Sequence, residues 1–243
     1  MLSIAERQSL PTWTDAQRQL VARAEAAGVL VMASSIVGSN SHRKLNVDEF
    51  RGFALADQLA PLIFVNAADS KAAQMFTLAH ELAHLWLGVS GVSDPETGRI
   101  PEPAVECWCN SVAAEFLVPA DLLAEACQAN EPVMEAIQRL ARSFKVSTLV
   151  ILRRLFDAGF IDRATLRQSY RDELARIRAL DRGGSGGGDF YRTLSTRTGK
   201  NFAQAVVSST LEGQTLFQDA FRMLGVRKTA TFYETARQLG VML

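Results

Sequence analysis

The sequence predicts an α+β fold: a small sheet, a helix carrying His80-Glu81-Leu82-Ala83-His84, then helix-turn-helix-like and C-terminal helical segments. Three observations lead there. Apolar runs before residue 70 are short and bounded by turn residues, as strands are. From residue 69 onward apolar residues recur at three- and four-residue spacings between Gly and Pro stops, as amphipathic helices require. Finally, 48% hydrophobic residues in 243 positions, with 26 cationic and 26 acidic side chains, is globular and not disordered composition.

The elements follow in order. Ala16, Leu20, Val21, Ala24 and Ala27 have helical spacing, Thr14 or Asp15 can cap them, and Gly28 ends the helix. Residues 29–33, 50–56 and 62–65 read as strands, the last two forming a hairpin through residues 57–61. Asp69 or Ser70 then caps a helix that runs through Leu87 and stops at Gly88. Residues 89–103 form a Gly-, Ser- and Pro-rich loop, followed by a helix from near Pro103 to just before Pro119. Helical segments continue over residues 120–129, 132–144, 147–158 and 162–180. A Gly-rich linker at residues 183–188 precedes helical pieces at 190–209, 215–224 and 229–239, whose Phe217, Phe221, Leu224, Phe232, Tyr233 and Leu239 suit a small core. The expected domains are 1–130 around the His-Glu motif, 131–182 helical and helix-turn-helix-like, and 189–243 a C-terminal helical unit.

Zero net charge gives no long-range field for capturing nucleic acid or acidic lipid. The first 13 residues lack the apolar centre of a signal peptide, and no apolar run approaches the roughly 18 residues of a membrane span, so a cytoplasmic location is expected. Three cysteines in such a chain argue against a disulfide framework.

His80 and His84 are four residues apart. On a helix this is about 400° of rotation, which leaves both imidazoles on one face and able to reach one cation. Glu81 is rotated about 100° from His80, a position for a carboxylate that takes a proton from water beside the metal. A catalytic zinc site takes three protein ligands, so a third is needed. Leu87 and Ser90 stand where an extended three-histidine motif would have Gly and His. Candidates remain in the loop (Asp94, Glu96) and on the next helix (Glu102, Glu106, Glu115). Glu106 is chosen because Asn110, one turn on, can hydrogen-bond a ligating histidine from outside the ligand set; Glu115 lies about 180° round and suits a structural bond. Cys107 and Cys109 point about 200° apart and cannot chelate one ion, which leaves Cys109 as helix packing. His42, in a polar stretch, is a candidate to stabilise an oxyanion if its loop folds over the site.

Phe76 to His84, then Glu106-Cys107-Trp108-Cys109-Asn110 leading through Ala113-Ala114-Glu115-Phe116-Leu117-Val118-Pro119, resemble the ImmA/IrrE family of metallopeptidases. Residues 50–54 and 61–66 fit the same family, and the resemblance is specific over 13–119 and looser to Tyr170. It implies a reduced, gluzincin-like zincin fold with His80, His84 and Glu106 as metal ligands, Glu81 as base, and zinc, or manganese or another divalent ion, as cofactor. It also implies a bacterial endopeptidase that cleaves a partner regulator, such as a helix-turn-helix repressor in a stress response or a component of a toxin-antitoxin module. The alternative is a non-hydrolytic antitoxin or binding component stapled by its metal. A protein partner is expected and a membrane is not. Some members carry a helix-turn-helix domain ahead of the peptidase; this chain starts close to the peptidase part, so DNA recognition is expected from elsewhere.

Residues 140–147 and 149–155 resemble a helix-turn-helix, but Leu149, Val150, Ile151, Leu152 and Leu155 leave few side chains for base edges; Arg153 and Arg154 can offer phosphate contacts only. Direct DNA binding is therefore disfavoured. Arg163, Arg167, Arg171, Arg176 and Arg178 alternate with Asp172 and Glu173, the pattern of a solvated face. Residues 51–55 are the expected strand for holding an extended substrate by edge addition.

Overall fold

A computed structural model describes residues 4–38, 40–92, 103–180 and 196–241 of the chain, which is α+β. Asp94, Glu96, Glu102 and the Gly-rich run at 183–188 lie outside the described residues. The elements are α1 (Ile4–Ser9), α2 (Trp13–Ala26), β1 (Leu30–Ser34), β2 (Ile36–Val37), β3 (Asn40–Lys44), β4 (Gly52–Leu55), β5 (Leu62–Asn66), α3 (Lys71–Leu87) and β6 (Gly91–Val92). Then come α4 (Pro103–Leu117), α5 (Ala120–Ala126), α6 (Val133–Phe144), α7 (Thr148–Asp157), α8 (Arg163–Leu180), α9 (Lys200–Leu211), α10 (Phe217–Leu224) and α11 (Thr229–Gln238). Among the described residues no helix is long and apolar enough to cross a membrane.

The chain divides into two compact units, one of Met1–Leu20, Ser70–Ala83 and Arg99–Gly186, the other of Val21–Asp69, His84–Gly98 and Gly187–Leu243. The second contains a four-stranded sheet in the order β1-β5-β4-β6. β1 runs parallel to β5, while β4 is antiparallel to both β5 and β6. Alternation decides the faces: Val31 is opposite Ile63, Ala33 opposite Val65 and Ala54 opposite Ile63, and all five are buried. On the other face Phe53 and Phe64 stack across the strands at 5.3 Å, with Phe50 beside them. Because β6 pairs with Phe53 and Ala54, β4 is an interior strand at those positions. The expectation that residues 51–55 offer a free edge is therefore corrected. β3, which pairs with β2, and the two-residue β6 occupy stretches that read as polar loop, since neither has the apolar alternation that marks a half-buried strand.

The same unit holds α9, α10 and α11, whose Ala203, Val207, Ala220, Leu224, Phe232 and Ala236 form a small core of their own. Rings of Phe217, Phe221, Phe232 and Tyr233 meet there edge-on or tilted at 5.3–6.3 Å.

In the first unit, two arginines satisfy the carbonyls at the end of α4. Arg7 donates to the Leu117 carbonyl and Arg154 Nε to the Val118 carbonyl at 2.9 Å. These are the oxygens a helix end leaves without intrahelical donors, and cations suit the negative end of its dipole. Arg7 is almost fully buried, which lowers its pKa to about 10. Arg154 also pairs with Glu115, and Glu115 Oε1 accepts from the Ala120 N–H at 3.1 Å. Arg154 is thus a buried structural cation, which removes it from the phosphate contacts expected of the helix-turn-helix-like pair. That pair is present as α6 and α7: Lys145 turns the chain at φ 53°, Val146 is buried, and Ser147 Oγ caps α7 by accepting the Val150 N–H at 3.2 Å.

Candidate metal centre

The centre rests on α3. Ser70 Oγ accepts the Ala73 N–H at 3.2 Å and starts the helix; Gly88, at φ 67°, ends it, and the Val89 N–H donates to the His84 carbonyl at 3.1 Å. Between these caps Met75, Leu78, Ala79, Leu82 and Ala83 are all buried, so the helix is enclosed on most sides and its polar residues are carried inward with it. His80, Glu81 and His84 are among them, with Glu81 wholly buried.

His80 Nε2 lies 3.2 Å from Glu106 Oε2 on α4. One turn along α3 comes His84, and one ligand atom from each of His80, His84 and Glu106 falls within 4.8 Å of the others. Zinc held tetrahedrally at bonds of about 2.0–2.1 Å sets its ligand atoms about 3.3 Å apart, so the His80–Glu106 spacing is that of two ligands on one ion. Two imidazoles and a carboxylate are also the donor set a catalytic zinc takes, with a fourth position left for water. The residues present fit a divalent metal. Glu81, adjacent to His80 and rotated away from it, has the carboxylate chemistry of a general base.

Glu106 faces inward in part, on the stripe that continues through buried Cys109, Ala113 and Leu117. Burial, and then the Glu106 and Glu81 carboxylates, push the Cys109 thiol up to about 11. Cys107 is exposed on the other side of α4, and Asn110, one turn on from Glu106, is exposed as well. Glu115 is on another face and engaged with Arg154. His42 sits on exposed β3, its backbone N–H donating to Asn40 Oδ1 at 3.0 Å.

Gly91, to which the sequence reading gave no role, presses on the centre. A Cβ at this position would lie 2.9 Å from both Cε1 and Nδ1 of the His84 ring. β6 therefore lies flat against one face of that imidazole, and only glycine leaves room for it. The sole signal in the sequence is a glycine in a glycine-rich loop, which marks a turn as readily as a close approach.

A family model of the IrrE N-terminal-like domain, a peptidase family, matches residues 24–156, more than half of the chain, and a domain of unknown function matches residues 198–238. The radiation response metalloprotease IrrE of Deinococcus radiodurans is 35% identical over 91 residues, 35% of this chain and 28% of the relative. Its counterpart in Deinococcus deserti is 36% identical over 91 residues, 35% of this chain and 32% of the relative. The chain thus spans about a third of the length of these curated relatives.

Proposed function

Because the chain belongs to the family of the IrrE N-terminal-like domain, we propose that it is a zinc-dependent endopeptidase that hydrolyses a peptide bond in a partner regulator. The observation that carries this reading is the His80, His84 and Glu106 ligand group with buried Glu81 next to it on α3. When bound, zinc polarises the scissile carbonyl and acidifies the attacking water. His80 and His84 would each offer an imidazole nitrogen to the ion, and Glu106 a carboxylate oxygen. Glu81 accepts the proton that water loses on attacking the carbonyl carbon and hands it to the amide nitrogen as the C–N bond breaks, so the products are a carboxyl group and a free amine. The burial of Glu81 keeps that proton from bulk water.

Among the described residues β6 is the outer strand of the sheet on the side of His84, so an extended peptide would pair there and present its carbonyls to the centre. The relatives are named as radiation response metalloproteases, which favours hydrolysis over metal-stapled binding as the use of this centre. The substrate class we infer is a protein regulator, a repressor or a member of a toxin-antitoxin pair. The test mixes the zinc-loaded chain with the protein encoded beside its gene and follows the products by mass spectrometry. Glu81→Gln is expected to keep its zinc and lose about a thousandfold in cleavage rate, the middle of the 10²–10⁴ range commonly ascribed to one acid–base group. Equal cleavage by the variant, or a stable complex cut by neither protein, would overturn the reading.

A further inference from the structure

A cleft of about 370 Å³ in the first unit has a lining of one charge sign. Trp13 of α2, Ser70 and Lys71 at the start of α3, Arg142 of α6, Ser147 at the start of α7 and Arg176 of α8 contribute to it, and among the described residues no carboxylate does. Glu173 stands beside the lining residues Thr148 and Arg176 and is already engaged: Arg176 donates to it at 2.6 and 2.7 Å and Thr148 Oγ1 at 2.5 Å. The charge of Arg176 is accordingly balanced, whereas that of Lys71 and Arg142 has no acidic counterpart in the wall. Lys71 is partly buried and donates to Gln74 Oε1 at 3.1 Å, a neutral acceptor. Burial lowers its pKa, and the neighbouring Arg18 cation adds to that fall. Lys145 brings a further ammonium over the Trp13 ring at 5.6 Å.

A partly buried cation in a concave wall, as Lys71 is, is costly until an anion enters. On a convex surface water would satisfy it; here Trp13 and Ala141 line the same wall, and Arg142 adds a second, exposed cation to it. The cleft's volume is within the range of small-molecule sites, roughly 300–1,000 Å³. It is also separate from the metal centre, since Lys71 precedes His80 by nine residues, about 13 Å of helix rise.

We propose that this cleft binds a small phosphate-bearing molecule, its phosphate held between Lys71 and Arg142 with the first-turn backbone N–H groups of α3 and α7 completing the cradle. Two oxygens of the phosphate take the charged donors, and the Trp13 side of the cleft receives the rest of the ligand. The inference stands apart from the peptidase reading, because its test needs neither metal nor peptide.

The test is calorimetric titration of the full chain, at constant ionic strength against a chloride control, with inorganic phosphate and with adenosine monophosphate. Saturable one-site binding is expected for at least one of them, weakened about tenfold or more by Lys71→Met and by Arg142→Gln, and unchanged by Arg153→Gln on the far side of α7. Arg142 is exposed, so its replacement leaves the fold intact even if Lys71→Met does not. Absence of saturation up to about 10 mM for both probes, or equal affinity in Arg142→Gln, would overturn the proposal. So would tight binding of duplex DNA lost in the same variants without any binding of the small anions.

Discussion

Gly91 tests how closely one residue governs the centre. A methyl group there would stand 2.9 Å from the His84 ring, so either the imidazole turns or β6 retreats. Gly91→Ala is expected to cost about 10- to 100-fold in zinc affinity, the range found when the residues that orient a ligating histidine are changed. Competition with a chromogenic chelator measures it, and undiminished affinity would mean that the strand yields at little cost. At this scale the sequence was partly legible. The spacing of His80 and His84 places both on one face, a local property of helix geometry, and Glu106 follows from the periodicity of the next helix. Gly91 was not legible, because its constraint is a contact with a residue seven positions earlier across a helix stop. Cys109 was read correctly as packing, but its place beside Glu81 and Glu106 depends on how α3 and α4 pack within the first unit.

Elements were legible where burial imposes a period. α3, α4, α6 and α7 have apolar stripes and stop signals, and their ranges differ from the expected ones by a few residues. α1 has six residues, too few for periodicity, and β3 is the polar sequence Asn-Ser-His-Arg-Lys, so neither carried a signal. The buried Glu173 was likewise misread as part of a solvated face; it links α8 to the first turn of α7 through Thr148 and to Arg176 one turn along α8. Hydrogen bonds from Arg176 hold its pKa below the ordinary 4.5, helped by Thr148 and opposed by burial. A carboxylate with a depressed folded-state pKa adds stability that is complete above its unfolded pKa and is lost as pH falls through the folded one. Wild type is therefore expected to lose melting temperature on acidification from pH 6 to 3.5 more steeply than Glu173→Gln, by about 2–4 °C for each kcal/mol of that contribution. Parallel pH profiles of the two proteins, followed by circular dichroism, would remove Glu173 from the acid response.

Over the whole molecule, the question is what joins residues far apart in sequence into one compact unit, a property that neither periodicity nor motif spacing encodes. The second unit shows one such joint. Glu25, near the end of α2, accepts the Lys200 N–H through Oε1 at 3.0 Å, and its carbonyl accepts from Asn201 Nδ2 at 2.9 Å. Gly199 adjoins them at φ 73°, and a Cβ there would stand 2.7 Å from the Val31 carbonyl oxygen. α9 thus begins against β1, the outer strand of the sheet, whose exposed backbone groups would otherwise be available to another chain. Gly199→Val combines a left-handed backbone that a β-branched residue resists with a clash against backbone that cannot rotate away, a cost of about 1–3 kcal/mol. The C-terminal helices have their own core around Phe232, so the variant is expected to release them folded and not melted. Thermal unfolding would then split into two transitions, and the uncovered β1 edge would raise the tendency to self-associate, which light scattering reads directly. A single transition at the wild-type temperature, with a monomer throughout, would show that the joint at Gly199 contributes nothing to holding the C-terminal helices on the sheet.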